Sequence, residues 1–315
     1  ASDVYKRQAS RCAHDFADIL DAFLGEPTWL WSRISHPIVL MGRAIKWIEN
    51  RYNNGINRKN KGIIFLIVTI IPLAITGYLI DRLPFSAIWN ILIVAILLSQ
   101  KSLTEHVTAV SLGLQKDLLQ GRKAVSMIVG RDTSILGEED IARSAIESAA
   151  ENFSDGVVAP IFWYLIAGLP GILIYKFVNT TDSMIGYKNI QYNQYGWAAA
   201  KLDDFMNWVP ARVSGILICL VYQNNLALRV MWRDAKLHRS PNAGWPEAAM
   251  AGVLNISISG PRSYDGVIKD YPFVNAEGKK KLTAVDIDNA VDVLWRSWGG
   301  LVLGCGVLLF FSTII

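Results

Sequence analysis

The residues of this sequence that are best suited to chemistry are carboxylates lying beside an apolar run. Glu147 and Glu151 are four positions apart and so share one face of a helix, and Asp155 follows at its C-terminal end. The apolar run 157–175 comes directly afterwards. Charged groups next to such a run are costly to desolvate unless a cation or a substrate compensates for them. We predict that all three are catalytic; the alternative is a solvated acidic face paired with Arg143.

The polarity of the helix strengthens this prediction. A helix that ends near Asp155 carries partial negative charge at that end, where three carboxylates are unfavourable without a cation. We therefore expect Mg²⁺ or a substrate ammonium beside Glu147 and Glu151.

A second acidic group reads DDFMN at residues 203–207. Mg²⁺ keeps part of its water shell and often uses only one or two carboxylates together with substrate phosphates. We predict that Asp203, Asp204 and Asn207 bind Mg²⁺ with a phosphorylated ligand. The alternative is that the two acids mark the start of a helix.

Amide, carboxylate and basic side chains around these groups are suited to binding a phosphorylated substrate. Lysines and backbone amides at helix starts bind phosphate, although Asn and Asp in such places are also ordinary turn residues. The sequence contains no GxxxxGK[ST] phosphate-binding loop. The residues predicted to bind substrate or ATP are Arg131, Asp132, Asn152, Lys176, Asn179, Asp182, Lys188, Arg212 and Asn242.

A further polar block, HRSPNAGWPEAAM, is predicted to be a turn that leads into a helix, since Pro246 suits the first helical position. Histidine titrates near neutral pH, so His238 is a candidate base, and Glu247 is grouped with it as catalytic. The alternative is a structural histidine, which is the role we predict for His36 and His106.

The elements that must position these blocks are helices in a membrane. The chain has 315 residues, of which 52% are hydrophobic and 18% charged, with a mean hydropathy of +0.27; soluble proteins average about 25% charged residues. The net charge of +4 is too weak and scattered to predict nucleic-acid binding. Three widely separated cysteines predict neither a disulfide scaffold nor a zinc site.

Apolar runs place the predicted spans. Residues 62–80 and 85–98 form a hairpin, 298–315 form a final span, and 157–175 with 211–222 form broken or half-spanning helices lining a cavity. Basic residues before position 62 place that end in the cytoplasm. The predicted fold is all-α, a polytopic integral membrane protein whose amphipathic and broken helices form a cytoplasm-facing site. Residues 1–14 are predicted to be foreign or mis-assembled, and 15–315 to form a single helical membrane domain.

Several long motifs together resemble one family. They read LGEP, HPIVLMG, GRDTS, AIESAAENFSDGVVAPIFWY, YKFVNTTDSMIGYKN, KLDDFMNWVPAR and HRSPNAGWPEAAMAG. In this order the chain resembles the CobD/CbiB family of cobalamin biosynthesis, the adenosylcobinamide-phosphate synthases, over roughly residues 15–315. The N-terminal segment, which replaces an apolar helix of the family, departs from the pattern.

The resemblance implies an ATP-dependent ligase that joins a carboxylate of adenosylcobyric acid to the amine of aminopropanol or its phosphate. ATP and Mg²⁺ are then substrates, and no tightly bound prosthetic group is expected. The implied partners are the corrinoid, aminopropanol (phosphate), the lipid bilayer and other cobalamin-pathway enzymes. The implied location is the inner membrane of a bacterial or archaeal cell. Two alternatives remain open from the residues: an intramembrane Mg²⁺-dependent prenyl or alcohol-phosphate transferase, and a transporter with broken helices.

Overall fold

The computed structural model describes residues 36–130, 132–264 and 267–314. The chain is mostly helical, with 75% of it in helices. The predictions made for residues 1–14, for the LGEP motif and for Arg131 lie outside the described residues.

Twelve α-helices are found in the described part of the chain. They are α1 (Pro37–Tyr52), α2 (Arg58–Ile80), α3 (Ser86–Leu97), α4 (Gln100–Lys116), α5 (Leu118–Val125), α6 (Glu138–Phe153), α7 (Ala159–Ile185), α8 (Trp197–Met206), α9 (Trp208–Val221), α10 (Asn225–Asp234), α11 (Gly244–Leu254) and α12 (Ala284–Ile314).

Four helical segments in the described ranges are long and apolar enough to cross a membrane. They are Arg58–Ile80, Ser86–Lys116, Glu138–Ile185 and Ala284–Leu308. A fifth span results if α8 and α9 are counted together as one broken span. The chain thus has the helices of a multi-pass membrane protein, and the predicted apolar spans 62–80 and 85–98 correspond to α2 and α3.

The chain divides into two compact units, which are described separately. The first unit contains α1, α2, α3, α7 and α8, and the second contains α4–α6 and α9–α11 with most of α12. The prediction of a single domain for residues 15–315 stays a prediction.

In the first unit, two glycines on α2 allow very close packing, Gly77 against α7 and Gly62 against the segment that follows α7. A Cβ atom added at Gly62 would lie 2.0 Å from the carbonyl oxygen of Tyr195, and one at Gly77 would lie 2.5 Å from the backbone nitrogen of Pro170. The aromatic core beside them stacks the Phe65 ring on that of Tyr195, with centroids 6.1 Å apart. Small residues at such contacts are typical of helices that associate within a membrane.

Helix α7 is broken at Gly168, which has φ 63° and ψ −151°. Only glycine adopts this backbone conformation readily. Pro170 adds to the break because it lacks the N–H that a continuous helix needs. The prediction of a broken helix in the run 157–175 is confirmed at this residue.

The expected helix end near Asp155 is wrong. Helix α6 passes through a π-helical turn, Ser154–Val158, and continues directly into α7. The N–H of Ser154 bonds to the carbonyls of both Ala150 and Glu151. Because the carbonyls of this segment remain paired within the helix, no helix C-terminus repels the nearby carboxylates, and the dipole argument for a cation does not apply.

The second unit also contains four short strands that the sequence analysis did not predict. Strands β1 (Ile258–Ser259) and β4 (Phe273–Val274) pair antiparallel, as do β2 (Arg262–Tyr264) and β3 (Val267–Lys269). Strands of two or three residues are too short to show an alternating pattern. In the same unit α11 packs against α9, α10 and α6, which places the segment after His238 in the core.

Candidate functional site

The second unit holds a buried histidine–carboxylate pair. His238 Nε2 lies 3.7 Å from Glu247 Oε1, and the two side chains are 7% and 3% exposed. His238 Nδ1 accepts a hydrogen bond from the backbone N–H of Ser240 at 3.1 Å. In the neutral imidazole one nitrogen accepts and the other carries the proton, so this bond places the proton on Nε2, the nitrogen that faces Glu247.

The turn before α11 brings the pair together. The hydroxyl of Ser240 accepts hydrogen bonds from the backbone N–H groups of Asn242 and Ala243, each at 3.2 Å, which closes the turn. A Cβ atom at Gly244 would lie 2.2 Å from the carbonyl oxygen of Ala235 and 2.7 Å from His238 Cβ. The glycine therefore allows the start of α11 to approach the segment that carries the histidine.

The guanidinium of Arg212 lies on two indole rings, one of which, Trp245, belongs to α11. Its guanidinium carbon is 4.2 Å from the centroid of the Trp208 ring and 4.5 Å from that of Trp245. Trp245 is 5% exposed, and Trp208 is 53% exposed. The rings and a hydrogen bond from Arg212 Nη1 to the Trp208 carbonyl hold the guanidinium in one orientation, an arrangement suited to binding an anionic group.

The three carboxylates predicted on α6 have different surroundings. Glu147 is buried, and its Oε1 accepts a hydrogen bond of 2.6 Å from the backbone N–H of Ser259. Glu151 is exposed and Asp155 is half-buried. Arg143 forms its ion pair with Asp140 at 2.7 Å. The alternative of an acidic face neutralised by Arg143 is therefore wrong, and a catalytic role for the three carboxylates stays a prediction.

The first unit contains a buried chain of hydrogen bonds around Asp203. Asn179 Nδ2 donates to Asp203 Oδ1 at 3.2 Å, and Asn207 Nδ2 donates to Asp203 Oδ2 at 3.0 Å. The Tyr175 hydroxyl donates to Asn207 Oδ1 at 2.9 Å. Among the described residues no lysine or arginine forms an ion pair with Asp203, so its carboxylate is held by neutral amides.

Asp204, the neighbour of Asp203, has a different environment. Its Oδ2 lies 3.5 Å from Lys201 Nζ, and its side chain is 38% exposed against 9% for residue Asp203 as a whole. Adjacent residues of a helix do not face each other. The structure thus brings Asp203 together with Asn207 and Asn179, and it turns Asp204 elsewhere; Mg²⁺ binding by this group stays a prediction.

The remaining predicted binding residues are spread over both units. In the first unit Lys176 is buried, Asp182 is half-buried and Lys188 is exposed. In the second unit Asp132 accepts a bond from the Ser134 N–H at 2.9 Å, and the bond lowers the pKa of Asp132. Asn152 Nδ2 bonds to the carbonyl of Ser148 at 2.8 Å, and Asn242 is buried beside the histidine turn.

Sequence reasoning missed two residues of these clusters. Tyr175 stands one helical turn before Asn179, and this i, i+4 spacing in an apolar helix was a usable signal. Ser259 has φ +62° and is followed by Gly260 at φ +84°. A non-glycine residue with positive φ has no reliable mark in a single sequence, so its bond to Glu147 could not have been predicted.

The comparisons with known proteins place the chain in a family. The family model described as CobD/Cbib protein matches residues 16–294. The chain belongs to the CobD/CbiB family. A relative from Brucella suis biovar 1 (strain 1330), named cobalamin biosynthesis protein CobD, is 46% identical over 313 residues, covering 93% of this chain and 96% of the relative.

Two further relatives carry the same name in other bacteria. The protein of Rhizobium meliloti (strain 1021) is 44% identical over 309 residues, covering 93% of this chain and 92% of its own length. That of Halalkalibacterium halodurans (strain ATCC BAA-125 / DSM 18197 / FERM 7344 / JCM 9153 / C-125) is 42% identical over 308 residues, covering 93% of each chain. No solved structure matches this chain.

Proposed function

We propose that this chain is an enzyme of cobalamin biosynthesis that forms an amide bond with ATP. It joins a carboxylate of adenosylcobyric acid to the amine of aminopropanol or aminopropanol phosphate, giving adenosylcobinamide or its phosphate. The observation that carries the proposal is the match along most of the chain to proteins named for cobalamin biosynthesis. The geometry within each cluster, taken by itself, supports the role assigned to it below.

The reaction needs activation of the carboxylate before the amine can attack. Transfer of the γ-phosphoryl group of ATP to the carboxylate gives an acyl phosphate and ADP. The amine attacks the acyl carbon, phosphate leaves, and the ammonium proton passes to a base. Phosphoryl transfer depends mainly on positioning and on neutralising charge, and Mg²⁺ bound with ATP supplies part of that neutralisation.

The Asp203 cluster fits the binding of this Mg²⁺ with nucleotide. This buried carboxylate accepts hydrogen bonds from two neutral amides, and no cation of the described residues forms an ion pair with it. Mg²⁺ is commonly bound through one or two carboxylates with substrate phosphates completing its shell. We assign Asp203 and Asn207 to hold it, and Lys176 of the same unit to contact a phosphate group. In the second unit, Arg212 is assigned to an anionic group of a substrate.

Glu247 is our assignment for the base that receives the ammonium proton. His238 Nδ1 is already occupied by the Ser240 N–H, so the imidazole has no free lone pair in this arrangement. Its Nε2–H points to Glu247 and orients the carboxylate instead. Glu151 and Asp155 are assigned to the binding of the cationic amine, because both are accessible on the same helix.

The test is turnover by the purified protein in nanodiscs with labelled ATP, adenosylcobyric acid and aminopropanol. We expect ADP, phosphate and the cobinamide product in equal amounts. Glu247→Gln should lose at least about a hundredfold in turnover, within the range for loss of a general base. His238→Gln can keep an N–H donor near the position of Nε2, towards Glu247, and should lose less. A protein that forms product without consuming ATP, or that joins a prenyl group instead, contradicts the proposal.

We also propose that the site opens to the cytoplasm, where ATP is available, and that other enzymes of the pathway deliver the corrinoid there. A single cysteine at position 140, in a background without the native cysteines, tests the orientation. Labelling from the outside of intact cells by an impermeant reagent would contradict it.

A further inference from the structure

Two segments of the first unit are tied together beside the start of a candidate membrane span. Residues 53–57 lead directly into α2, which begins at Arg58, and residues 186–196 follow the end of α7. Asn53 Nδ2 donates to the Gln191 carbonyl at 3.1 Å, and Arg58 Nη1 to the same carbonyl at 3.4 Å. Because α2 enters the membrane at this end, the connected segment 186–196 lies at the same surface of the bilayer.

A buried carboxylate fixes the two segments to α1. Glu49 Oε1 accepts a hydrogen bond from Gln191 Nε2 at 3.2 Å, and its Oε2 pairs with Lys46 Nζ at 2.7 Å. Glu49 is only 4% exposed. Burial tends to raise the pKa of Glu49, but the hydrogen bonds from Lys46, Gln191 and Asn53 outweigh it and lower the pKa. The anchoring group therefore stays charged and holds the surface in one conformation.

These segments expose apolar side chains to solvent and carry basic residues close to them in sequence. Ile190 is 93% exposed and Ile56 is 82% exposed, and Tyr187 is half exposed nearby in sequence. The stretches 50–61 and 186–197 contain no acidic residue. Their basic residues are Arg51, Arg58, Lys59, Lys61 and Lys188.

The aromatic residue at the edge of this face keeps one of its cations in place. Lys59 Nζ lies 3.8 Å above the centroid of the Trp197 ring, and Trp197 is 41% exposed. Indole rings and the stems of lysines are favoured at the level of lipid headgroups. Exposed isoleucines are unfavourable in water and favourable in the region between headgroups and acyl chains.

We propose that residues 53–59 and 186–197 form a surface that binds anionic phospholipid headgroups and inserts Ile190 and Ile56 among them. We call it the lipid-binding surface. Charge complementarity selects the lipid: the surface is basic without acidic residues, and each cation near an anionic bilayer favours it by about a fivefold factor. Lys188, predicted from sequence to bind substrate, belongs to this surface. The inference does not depend on the proposed reaction.

The test measures where residue 190 lies in bilayers of known composition. The full chain, with its native cysteines replaced and Ile190→Cys labelled by an environment-sensitive fluorophore, is placed in nanodiscs of phosphatidylcholine alone or mixed with phosphatidylglycerol. We expect a blue-shifted emission that is quenched by nitroxide lipids and not by aqueous iodide. The shift should increase with phosphatidylglycerol. Ile56→Cys should behave in the same way.

Charge variants separate the lipid from other anions. Lys59→Gln with Lys188→Gln should raise several-fold the phosphatidylglycerol fraction needed for half of the shift. Lys123→Gln with Lys281→Gln removes the same net charge from exposed positions outside the candidate spans and should have no effect. Quenching of both probes by iodide in every bilayer would overturn the proposal. So would a probe that responds to ATP and ignores phosphatidylglycerol, since the cations would then serve a nucleotide.

Discussion

Glu147 accepts the backbone N–H of Ser259 across 112 positions of the sequence, at a distance of 2.6 Å. The bond joins α6 to a residue in the left-handed region of backbone conformation, φ +62°. A buried carboxylate that accepts a hydrogen bond from strained backbone stabilises the fold, independently of any contact with substrate. The relationship leads to a direct comparison of two substitutions.

Glu147→Gln keeps an oxygen that can accept the Ser259 N–H, whereas Glu147→Ala leaves that N–H buried without its acceptor. We expect the alanine variant to lose about 1–3 kcal/mol of unfolding free energy and the glutamine variant clearly less. Thermal unfolding in detergent measures both. If turnover survives in Glu147→Gln, the residue positions Ser259; if only the native carboxylate is active, the charge itself is required in the reaction.

Asp203 and Asp204 should respond differently to the same substitution. Asp203→Asn offers one oxygen to two amide donors, from Asn179 and Asn207, so an N–H group must face another N–H group. We expect a loss of about 1–3 kcal/mol in unfolding free energy. Asp204→Asn removes an exposed ion pair with Lys201 and should change the unfolding free energy by at most about 1 kcal/mol. Equal losses in chemical denaturation would contradict the assigned burial.

Mg²⁺-dependent nucleotide binding gives a second comparison of the Asp203 and Asp204 variants. We expect Asp203→Asn to abolish the Mg²⁺ dependence and Asp204→Asn to retain it. A variant Asn207→Asp, which replaces an amide beside Asp203 with a second carboxylate, serves as the comparison for added charge.

Acid should destabilise the second unit through Asp234. Burial tends to raise the pKa of this carboxyl group, but hydrogen bonds from the Arg233 guanidinium and from the Asn275 N–H outweigh it and lower the pKa. A lowered native pKa stabilises the fold above the unfolded value of about 3.9, and the contribution is lost as the pH falls through the native pKa.

The melting temperature in detergent, measured from neutral pH down to about pH 2, tests this contribution. Asp234→Asn should lower it at neutral pH and flatten its decline in acid. Asp288→Asn, which removes an exposed carboxylate of α12, should leave the decline unchanged. A decline in Asp234→Asn as steep as in the native chain would show that other groups are responsible.

The contact between α2 and α7 should not tolerate a methyl group. Gly77→Ala places a Cβ atom 2.5 Å from the Pro170 nitrogen and 2.8 Å from its Cα, both of which are backbone atoms. We expect overpacking to cost about 1–3 kcal/mol. Gly304→Ala is the control, since a Cβ there has nothing within 4 Å. The thermal stability of the two variants in one detergent gives the comparison.

The spans could be predicted because they depend on composition alone. The runs that became α2 and α3 contain almost no charged residue after Lys61, so any folded arrangement places them in apolar surroundings. The break in α7 could be predicted as well, since Gly168 and Pro170 both disfavour a continuous helix.

The expected helix end near Asp155 was wrong for a physical reason. A π-helical turn adds one residue without any special composition, and Gly156 within it looks like a stop signal. Adjacency on a helix predicts that Asp203 and Asp204 point in different directions, but which of the two is buried depends on the neighbours of α8. Long-range bonds such as that between Asn275 and Asp234 depend on the tertiary fold and were equally inaccessible.

The break at Gly168 also constrains the order in which the chain can enter a bilayer. Pro170 has no N–H to donate to a carbonyl of the preceding turn, and lipid cannot supply the missing donor. Gly77 of α2 is the place that receives the segment around Pro170. Synthesis from the N-terminus delivers α2 before α7, so the docking position exists when the broken helix arrives. A circularly permuted chain that began after residue 100 would have to insert α7 without it.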